Sequence, residues 1–559
     1  MEKRLILAFA LTILVFIGFQ QFQTRTLEKQ VPKEPPRQAQ PLSQEPQQPV
    51  QPVPVESTAP LAVGSPEDTS AVAQKVTIKG DLYKAVIDNR GAVLTGWELN
   101  QYKSAANRVF EMIAASHGGE MRTFPSSLLL DDPALAALAQ NELYQVLVNG
   151  EPYDGRELAP PVTAVLRLKR GSFSIEKSFS FEKDNCVVNL SAISQQDGKP
   201  VAGKFFLAQD IGPEQEHLSS STKLEVAYYS DGKVRREGSP KEEKEIKRIE
   251  GDVRWVGLDM QYFALIAIPA RPLPYFNLEK LPIKAVGLDG KQVDRDLLKV
   301  TAPVNGPFEC QLYIGPKKQS NLEAVKAADI SGVINYGMFS IIVLPLLACL
   351  RWIHQYVLNY GHAIVILTFL LSLLLFPFRL KQMLSMKKMQ AVQPKVKAIQ
   401  EKYRRYKKTD PKRAEMNQEI MALYKEHNVN PLGGCLPLIL QMPLLFAFYS
   451  LLAYSIELRQ APWILWIHDL SAKDPYYVLP IVMGITAFIS QKMTPMTPGT
   501  DPTQAKVMMV MPAIFTVMFI NLSSGLNLYF LCSNIFQVGF QKIAERWLGG
   551  RNSDTASKS

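Results

Sequence analysis

Cysteine and histidine are scarce in this chain of 559 residues, which contains five cysteines and six histidines. The cysteines form no CxxC pair and the histidines show no ligand spacing, so the sequence argues against a zinc site and we expect no bound metal. Cys186 and Cys310 fall in one predicted domain. Their pairing in a disulfide and two separate buried thiols are both compatible with the sequence, and separate thiols are the favoured interpretation.

Signatures of catalysis and of energy coupling are also missing. The chain contains no nucleophile elbow and no HExxH sequence. Residues 198–204 nearly match a phosphate-binding loop, but Phe205 follows where Ser or Thr would hold magnesium, so nucleotide binding is not expected. The long apolar runs contain no acidic residue, whereas ion-driven pumps usually need carboxylates inside the membrane. We therefore expect no catalytic residue and no cofactor, and the chain is not predicted to be an enzyme.

Long apolar runs are concentrated near the two ends of the chain. Lys3 and Arg4 precede the run 5–19 in the order typical of a secretory signal, but no small-x-small cleavage site follows, which predicts an uncleaved anchor over residues 1–23. Five later runs resemble transmembrane helices in composition. They cover residues 360–378, 433–455, 476–490, 507–522 and 525–540. Together with the anchor, they predict an α-helical membrane bundle of six transmembrane helices.

The region after the anchor has a different composition. Residues 24–74 are rich in Pro and Gln and poor in large apolar side chains. Such a segment cannot bury enough apolar surface to offset the entropy lost on ordering. We expect a disordered, extended linker here.

Residues 75–320 change to a period of two. Phe173, Ile175, Phe179 and Phe181 alternate with polar residues. Because successive side chains of a strand point to opposite faces, this pattern predicts antiparallel strands with one buried face. The length of the region predicts a large all-β sandwich domain.

Loop charges predict the topology. Residues 379–430 contain 14 Lys and Arg against 5 Asp and Glu, so most of the net charge of +10 lies in this loop, and the positive-inside rule places it in the cytoplasm. Residues 321–359 are predicted to be helical, and their apolar part, 338–359, is interrupted by Pro345. If that part spanned the bilayer, the basic loop would lie outside, so we expect an interfacial helix. Both termini, including the tail 543–559, are then cytoplasmic, and the β domain is periplasmic in a bacterial inner membrane.

The basic loop 379–430 is predicted to form a helical hairpin, because its apolar residues recur at helical spacing, with a break or kink at Pro394. One interpretation is a solvated hairpin whose charges only set the topology. The other is a surface for an anionic partner, either lipid headgroups or ribosomal RNA. We expect the hairpin to be mobile and to lack a core of its own.

Polar side chains recur inside the predicted spans at helical spacing. They are Thr368, Ser372, Gln441, Thr486, Ser490, Asn527 and Asn534. A polar side chain in lipid costs free energy unless it is paired or hydrated. Two interpretations follow: hydrogen bonds that hold a helix bundle together, or a shared groove that admits water.

Five stretches in the C-terminal half resemble the YidC/Oxa/Alb family of membrane protein insertases. They are NPLGGCLPLILQMP at 430–443, ELRQAPW at 457–463, WIHDLS at 466–471, DPYYVLP at 474–480 and SGLNLYFLCSN at 524–534. The resemblance is close over about residues 336–541, and the β domain is similar in size and placement to that of the Gram-negative YidC type. It implies a five-helix core over 360–542 with a groove open to cytoplasm and lipid.

The resemblance also implies function and partners. Members of the family insert and fold membrane proteins, here called clients, alone or beside the Sec translocon and its accessory subunits. The expected partners are therefore nascent membrane proteins, the Sec translocon, the ribosome and the phospholipid bilayer, and not DNA. No nucleotide hydrolysis is needed, because burial of a client span is downhill overall and the difficulty is kinetic.

The family motifs also suggest site residues. Thr368 and Phe530 match positions that face the client in relatives, and Tyr529 is a neighbour. Relatives typically carry an Arg in the groove where this sequence has Ser372. We therefore do not assign to this chain the electrostatic role of that buried Arg. The expected cytoplasmic contacts with client or ribosome are Arg379, Lys381, Met386, Lys387, Lys388, Met389, Arg404 and Arg405.

Two other classes of function fit the sequence less well. A transporter or channel would need an ion-coupling carboxylate or an inverted repeat, and the sequence shows neither. A periplasmic sensor or envelope scaffold would leave the cytoplasmic hairpin unexplained.

Overall fold

A computed structural model describes residues 71–556, apart from 105–107, 114–123, 210–224, 241–244, 287–291, 326, 328, 407–409, 428–435 and 494–501. The predicted anchor and nearly all of the predicted linker lie outside these residues. The side chains of Met386 and Gln441 lie outside them as well.

The chain first forms a four-stranded antiparallel sheet. Its strands are β1 (Lys75–Lys79), β2 (Tyr83–Asp88), β3 (Val93–Lys103) and β4 (Val109–Ile113), which pair in the order β1-β2-β3-β4. In β2 every second residue is buried, because one face of the sheet is turned toward the core.

A second sheet of fifteen strands follows. Its strands are β5 (Leu128–Leu130), β6 (Gln145–Val148), β7 (Glu151–Pro152), β8 (Val162–Arg170), β9 (Phe173–Phe181), β10 (Val187–Gln196), β11 (Lys199–Pro200), β12 (Gly203–Gln209), β13 (Glu225–Ser230), β14 (Lys233–Glu237), β15 (Ile246–Asp259), β16 (Phe263–Pro269), β17 (Leu273–Val286), β18 (Gln292–Val304) and β19 (Phe308–Pro316). The main order is β5-β12-β18-β17-β15-β16-β19-β10-β9-β8-β6-β7. Helix α1 (Pro133–Asn141) lies between β5 and β6, with Asp132 capping its N-terminus.

The two sheets share one apolar core. Tyr83 and Trp97 of the small sheet stack with ring centroids 4.3 Å apart, and Phe181 of β9 packs against both rings. Phe110 of β4 stacks on Phe263 of β16 at 4.1 Å. The predicted large β-sandwich domain is confirmed.

Cys186 and Cys310 are free thiols buried in this domain. Burial raises the pKa of both thiols, that of Cys186 to about 12, because the charged thiolate is poorly solvated. The favoured interpretation of two separate buried thiols is confirmed.

The rest of the chain is helical. After α2 (Gln319–Glu323) and a 3₁₀ turn (Ile330–Val333) come α3 (Ser340–Val357), α4 (Tyr360–Lys402), α5 (Lys412–Glu426), α6 (Leu436–Tyr454), a second 3₁₀ turn (Ile456–Leu458), α7 (Val478–Met493), α8 (Pro502–Phe519) and α9 (Ser524–Ala556). Helix α9 packs along α4 and α7, α8 packs on α7, and α3 packs on α4 and α6.

Within the part of the chain that the structure describes, two helices, α3 and α4, are long and apolar enough to cross a membrane. Shorter apolar helical stretches cover Met442–Tyr454, Val478–Met493 and Met509–Phe519. The total of six spans therefore stays a prediction.

Two helices are longer than expected. Helix α4 continues without interruption from the first predicted core span into the basic hairpin, and Pro377 and Pro394 both lie inside it. Of the two outcomes expected at Pro394, a break or a kink, the break is wrong, since packing of the helix outweighs the one backbone hydrogen bond that proline removes. Helix α9 likewise continues into the predicted tail, to Ala556.

The hairpin formed by the end of α4 and by α5 contains a small buried cluster of its own. Met389, Val392 and Val396 of α4 pack against Tyr424 of α5. The expectation that the hairpin lacks a core is therefore wrong. Its apolar residues were recognised at helical spacing, but only the folded pair of helices shows that they face each other.

Candidate functional site

The predicted groove residues lie on four helices, α4, α6, α7 and α9, and α9 contacts each of the other three. Thr368 and Ser372 of α4 are buried, at 1% and 3% exposure, although the neighbouring Leu370, Leu373 and Leu374 are largely exposed. The hydroxyl of Thr368 donates to the backbone oxygen of Ile364 at 2.6 Å. Thr368 therefore satisfies its hydrogen bond within α4 and is not committed to a neighbouring helix.

Thr486 and Ser490 lie on α7. The Thr486 hydroxyl donates to the backbone oxygen of Met483 in the same helix at 2.8 Å, and Ser490 is buried. Asn534 of α9 donates to the same Met483 oxygen at 3.4 Å. Asn534 thus connects α9 to α7. This contact corresponds to the first of the two interpretations, hydrogen bonds that hold the helix bundle together.

Asn527 is fully buried at the start of α9. Its amide nitrogen lies 3.2–3.3 Å from the backbone oxygens of Phe519, Leu522 and Ser523 and donates to them. These oxygens end α8 and form the turn into α9, where helical partners are lacking. Asn527 therefore holds the α8–α9 turn, while its Oδ1 atom is buried without a hydrogen-bond partner.

Tyr529 and Phe530 belong to an aromatic cluster. Tyr529 is buried and stacks on Phe448 of α6 with centroids 3.9 Å apart. Phe530 is partly buried and meets Phe519 of α8 edge to face at 4.8 Å. The cluster links α9 with α6 on one side and α8 on the other.

Arg379 lies on α4, after the first predicted core span. Its guanidinium interacts electrostatically with Tyr529, and its Nη1 atom is buried without a hydrogen-bond partner. A buried guanidinium nitrogen without a partner is costly.

The other predicted cytoplasmic contacts fall into two groups. Lys381, Lys387, Lys388, Arg404 and Arg405 are exposed. Met389 is instead completely buried in the hairpin core, so in this conformation it cannot contact a client. Met386 lies in α4, but its side chain is outside the described residues, as is that of Gln441.

Sequence reasoning missed Asp474, which lies in the DPYYVLP stretch. Asp474 is fully buried and accepts hydrogen bonds from the Trp466 indole at 3.0 Å, from the backbone of Tyr476 at 3.0 Å and from the backbone of Leu479 at 2.7 Å. It caps the start of α7 and joins two family-like stretches. An Asp shortly before an apolar helical run is a recognisable capping signal.

Among the residues that the structure describes, the arrangement combines the buried Thr368 and Ser372 with the aromatic cluster around Tyr529. Within the described ranges, no three His, Cys, Asp or Glu residues lie close enough together to hold a metal ion.

Comparison with known proteins gives matches along the whole described chain. Residues 75–349 match the family described as YidC periplasmic domain, and residues 352–550 match the family described as 60Kd inner membrane protein. Membrane protein insertase YidC of Syntrophus aciditrophicus (strain SB) is 33% identical over 559 residues, covering 97% of this chain and 99% of the relative. Membrane protein insertase YidC of Geobacter sp. (strain M21) is 35% identical over 489 residues, covering 84% and 85%. Among solved structures, YidC from Thermotoga maritima aligns at 13% identity with a TM-score of 0.31, covering 85% of this chain and 99% of that one.

Proposed function

Because this chain belongs to the YidC family of membrane protein insertases, we propose that it inserts newly made integral proteins into the bacterial inner membrane and helps them to fold. One observation carries the proposal: the chain is 33% identical to a membrane protein insertase over 99% of that relative's length. Family membership is also the ground for expecting a chaperone role and cooperation with the Sec translocon and the ribosome.

The proposed topology has six spans, with α3 lying in the interface and both termini in the cytoplasm. Contacts at the two ends of α3 support this. Val333, just before α3, packs in the core of the β domain. Asn359, just after α3, donates to the backbone oxygen of Pro462 at 3.2 Å, in a loop that also bonds to the β domain through Gln460 and Lys103. Since both ends of α3 lie on the side of the β domain, a crossing by α3 is disfavoured.

The proposed working part is a hydrated groove lined by Thr368, Ser372, Gln441 and Thr486. The hydroxyls of Thr368 and Thr486 bond to their own helices, so the helices can separate without leaving these groups unpaired. A carbonyl-bonded hydroxyl still has lone pairs that can accept a hydrogen bond from water. The groove would then give the polar parts of a client a hydrated route across the hydrocarbon core of the bilayer.

The energetics require no nucleotide. An apolar residue of a client gains roughly 0.3–0.6 kcal/mol on entering the bilayer, whereas a central Asp or Arg costs about 2.5–3.5 kcal/mol. A span of about 20 residues is therefore favourable overall, and the barrier lies in moving polar flanks. Helix α7 has 16 residues and is about 24 Å long, which is shorter than a bilayer core of about 30 Å, so local thinning would lower that barrier further.

The exposed basic residues of the hairpin are the proposed contact with an anionic partner. Lys381, Lys387 and Lys388 are exposed on α4, and Arg404 and Arg405 follow it. Their charge suits lipid headgroups or ribosomal RNA. The buried cluster around Met389 would keep this surface in one shape.

The test is an insertion time course in reconstituted vesicles with two clients, one with a charged external tail and one with a short neutral tail. Replacing Thr368, Ser372 and Gln441 together by Leu should slow the charged-tail client far more, because an apolar cavity stays empty of water. The matched control replaces the exposed Leu373 and Leu374 by Ile, which leaves polarity unchanged. Equal slowing of both clients would show that groove polarity does not act on the tail. No insertion by the unmodified protein would overturn the proposed function itself.

The Ser372 position allows a finer version of this test. Ser372→Ala alone should be mild, because the neighbouring polar groups still hold water. Ser372→Arg should be tolerated, since relatives typically carry Arg at this position. Severe loss of insertion with Ser372→Ala would mean that this hydroxyl has a specific role.

A further inference from the structure

The loop that follows α6 is one place where the helical bundle meets the β domain. Gln261 of the β domain donates from its side-chain amide to the backbone oxygen of Ala453, at the end of α6, at 2.7 Å. Seven residues later, the side chain of Gln460 bonds to Lys103 of β3. We call residues 453–460 the joint.

Arg459 is the centre of the joint. Its guanidinium carbon lies 5.2 Å from the ring centroids of Phe110 and Phe263 and 5.3 Å from that of Tyr262. Its Nη2 atom also donates to the backbone oxygen of Lys103 at 3.0 Å. A cation among three largely desolvated rings gains from each ring quadrupole, and Arg fits such sites better than Lys because its planar group can stack and bond at once.

The aromatic cage is formed where the two sheets meet. Phe110 comes from β4 of the small sheet, whereas Tyr262 and Phe263 lie at the start of β16 in the large sheet. All three rings are buried. Arg459 therefore contacts both sheets of the β domain from one position in the bundle.

Gln460 adds a second, directional contact. Its Nε2 atom donates to the Lys103 oxygen at 2.6 Å, and its Oε1 atom accepts from the Lys103 nitrogen at 3.1 Å, as a paired strand would do. The backbone of Gln460 has φ of +57°, a left-handed conformation that costs free energy for a residue with a side chain. Retained strain of this kind marks a position where the surrounding contacts outweigh it.

The bundle side of the joint is held independently. Glu457 is nearly buried and pairs with Arg351 of α3, whose Nε atom lies 3.0 Å from the Glu457 carboxylate. Arg351 also donates to the side chain of Gln319 in α2 at 3.0 Å. The loop is therefore fixed to α3 even when its contacts with the β domain are broken.

We propose that Arg459 and Gln460 form a docking joint that fixes the orientation of the periplasmic β domain relative to the helical bundle. Domains connected by small interfaces normally move relative to each other. Here the Arg459 guanidinium among three rings stabilises the contact between the domains. The two hydrogen bonds of the Gln460 amide with Lys103 fix their relative orientation. The β domain thus presents one constant face to a client that leaves the proposed groove beside α4 and α6.

The test measures a distance distribution by pulsed electron paramagnetic resonance on the full chain in vesicles. Spin labels are placed at Lys183→Cys in the β domain and Lys473→Cys in the bundle, both at exposed positions. Cys349 and Cys435 are replaced by Ser, while Cys186, Cys310 and Cys532 are buried and can stay. The unmodified joint should give one narrow distribution.

Arg459→Ala should widen the distribution about twofold or more, because it removes the one side chain of the joint that contacts both sheets of the β domain. Arg459→Lys should give an intermediate width, since it keeps the charge but loses the planar contact. The matched control is Arg254→Ala, which removes an exposed arginine paired with Asp252 in the same domain, and it should leave the distribution narrow.

A distribution for Arg459→Ala as narrow as that for Arg254→Ala would overturn the proposal. If Arg459→Ala does not assemble, the single variants Gln460→Ala and Arg459→Lys are measured instead. A wider distance distribution for either variant supports the joint, and an unchanged distribution for both overturns it. The readout is independent of insertion, so its failure is distinguishable from failure of the proposed function.

Discussion

In the β domain, the buried Lys177 bonds to distant segments of the chain, whereas in the bundle three threonine hydroxyls bond to the helix that carries them. Lys177 of β9 is completely buried, and its ammonium donates to the backbone oxygens of Gly91, Ala92 and Ser126 at 2.8, 3.1 and 2.9 Å. The partners are up to 86 residues away. A strand offers a buried ammonium no nearby carbonyl, so distant segments must supply them.

The bundle shows the opposite arrangement. Thr368, Thr486 and Thr516 each donate to a carbonyl three or four residues earlier in the same helix. A helix always has such an oxygen within reach of a hydroxyl. The difference teaches that Lys177 ties distant segments of the β domain together, whereas the three threonines leave their helices free to shift. The polar contacts that such a shift would break are those from Asn534 and Gln541 of α9 to the backbone of α7.

Asp474→Ala should cause the largest loss of stability, because Asp474 is fully buried and its three hydrogen bonds join the Trp466 indole to the start of α7. Three donors would be left unpaired, at a cost of roughly 3 kcal/mol or more. Thermal unfolding in detergent measures the effect. The control is Asp469→Ala, which removes only local bonds to Ser471 and should cost about 1 kcal/mol. Equal losses from the two variants would contradict the distinction.

Lys177→Met should destabilise the β domain by about 1–3 kcal/mol, because three carbonyl oxygens lose their donor. Hydrogen exchange measured on peptides of the full chain should show faster exchange in the two sheets and little change in the bundle. Lys84→Met removes an exposed pair with Glu98 and serves as the control, with an expected cost of under about 1 kcal/mol. Faster exchange confined to β9 would mean that Lys177 does not tie the sheets together.

The same lysine predicts a pH dependence. Burial lowers the pKa of Lys177 from 10.5 to about 7, because the charged form is poorly solvated. Between about pH 7 and pH 10.5 the folded domain then binds fewer protons than the unfolded chain, so its free energy of unfolding should rise with pH in this window. The slope is at most about 1.4 kcal/mol per pH unit, and it is reduced by the three carbonyl oxygens that favour the ammonium. Urea unfolding at several pH values checks it, and an identical slope in Lys177→Met would exclude Lys177 as the source.

Thr368→Val should change stability by less than about 1 kcal/mol, because the shape is kept and the lost bond is local to α4. Thermal unfolding of Thr368→Val and of Asp474→Ala under the same conditions compares the two losses of stability. A loss as large as that of Asp474→Ala would show that the Thr368 hydroxyl holds the bundle together after all.

Deleting most of residues 80–310 should have the smallest effect on insertion of a simple client, since the motifs typical of the family lie after residue 336. The insertion rate in vesicles measures it, with membrane level of the truncated protein as the control. Complete loss of insertion by a truncated protein that remains stable would show that the β domain takes part in the work.

Much of the fold and part of the site were predictable from sequence because they depend on local rules. The alternation from Phe173 to Phe181 predicts a strand with a buried face, since side chains of a strand alternate whatever lies opposite. The apolar composition after residue 360 likewise predicts helices. The spacing of Thr368 and Ser372 predicts that they share a helix face, and both are buried together.

Other features were decided only by the tertiary structure. Met389 was predicted to be a contact with client or ribosome, but it is buried against Tyr424 because α5 folds back onto α4. Asn527 was a candidate groove residue, yet its amide holds the end of α8. Arg459 is one arginine in a polar loop until β4 and β16 place three rings around it. The partners of Met389 and Arg459 are distant in the chain, and those of Asn527 lie across the turn between two helices, so no helical or strand periodicity could specify these contacts.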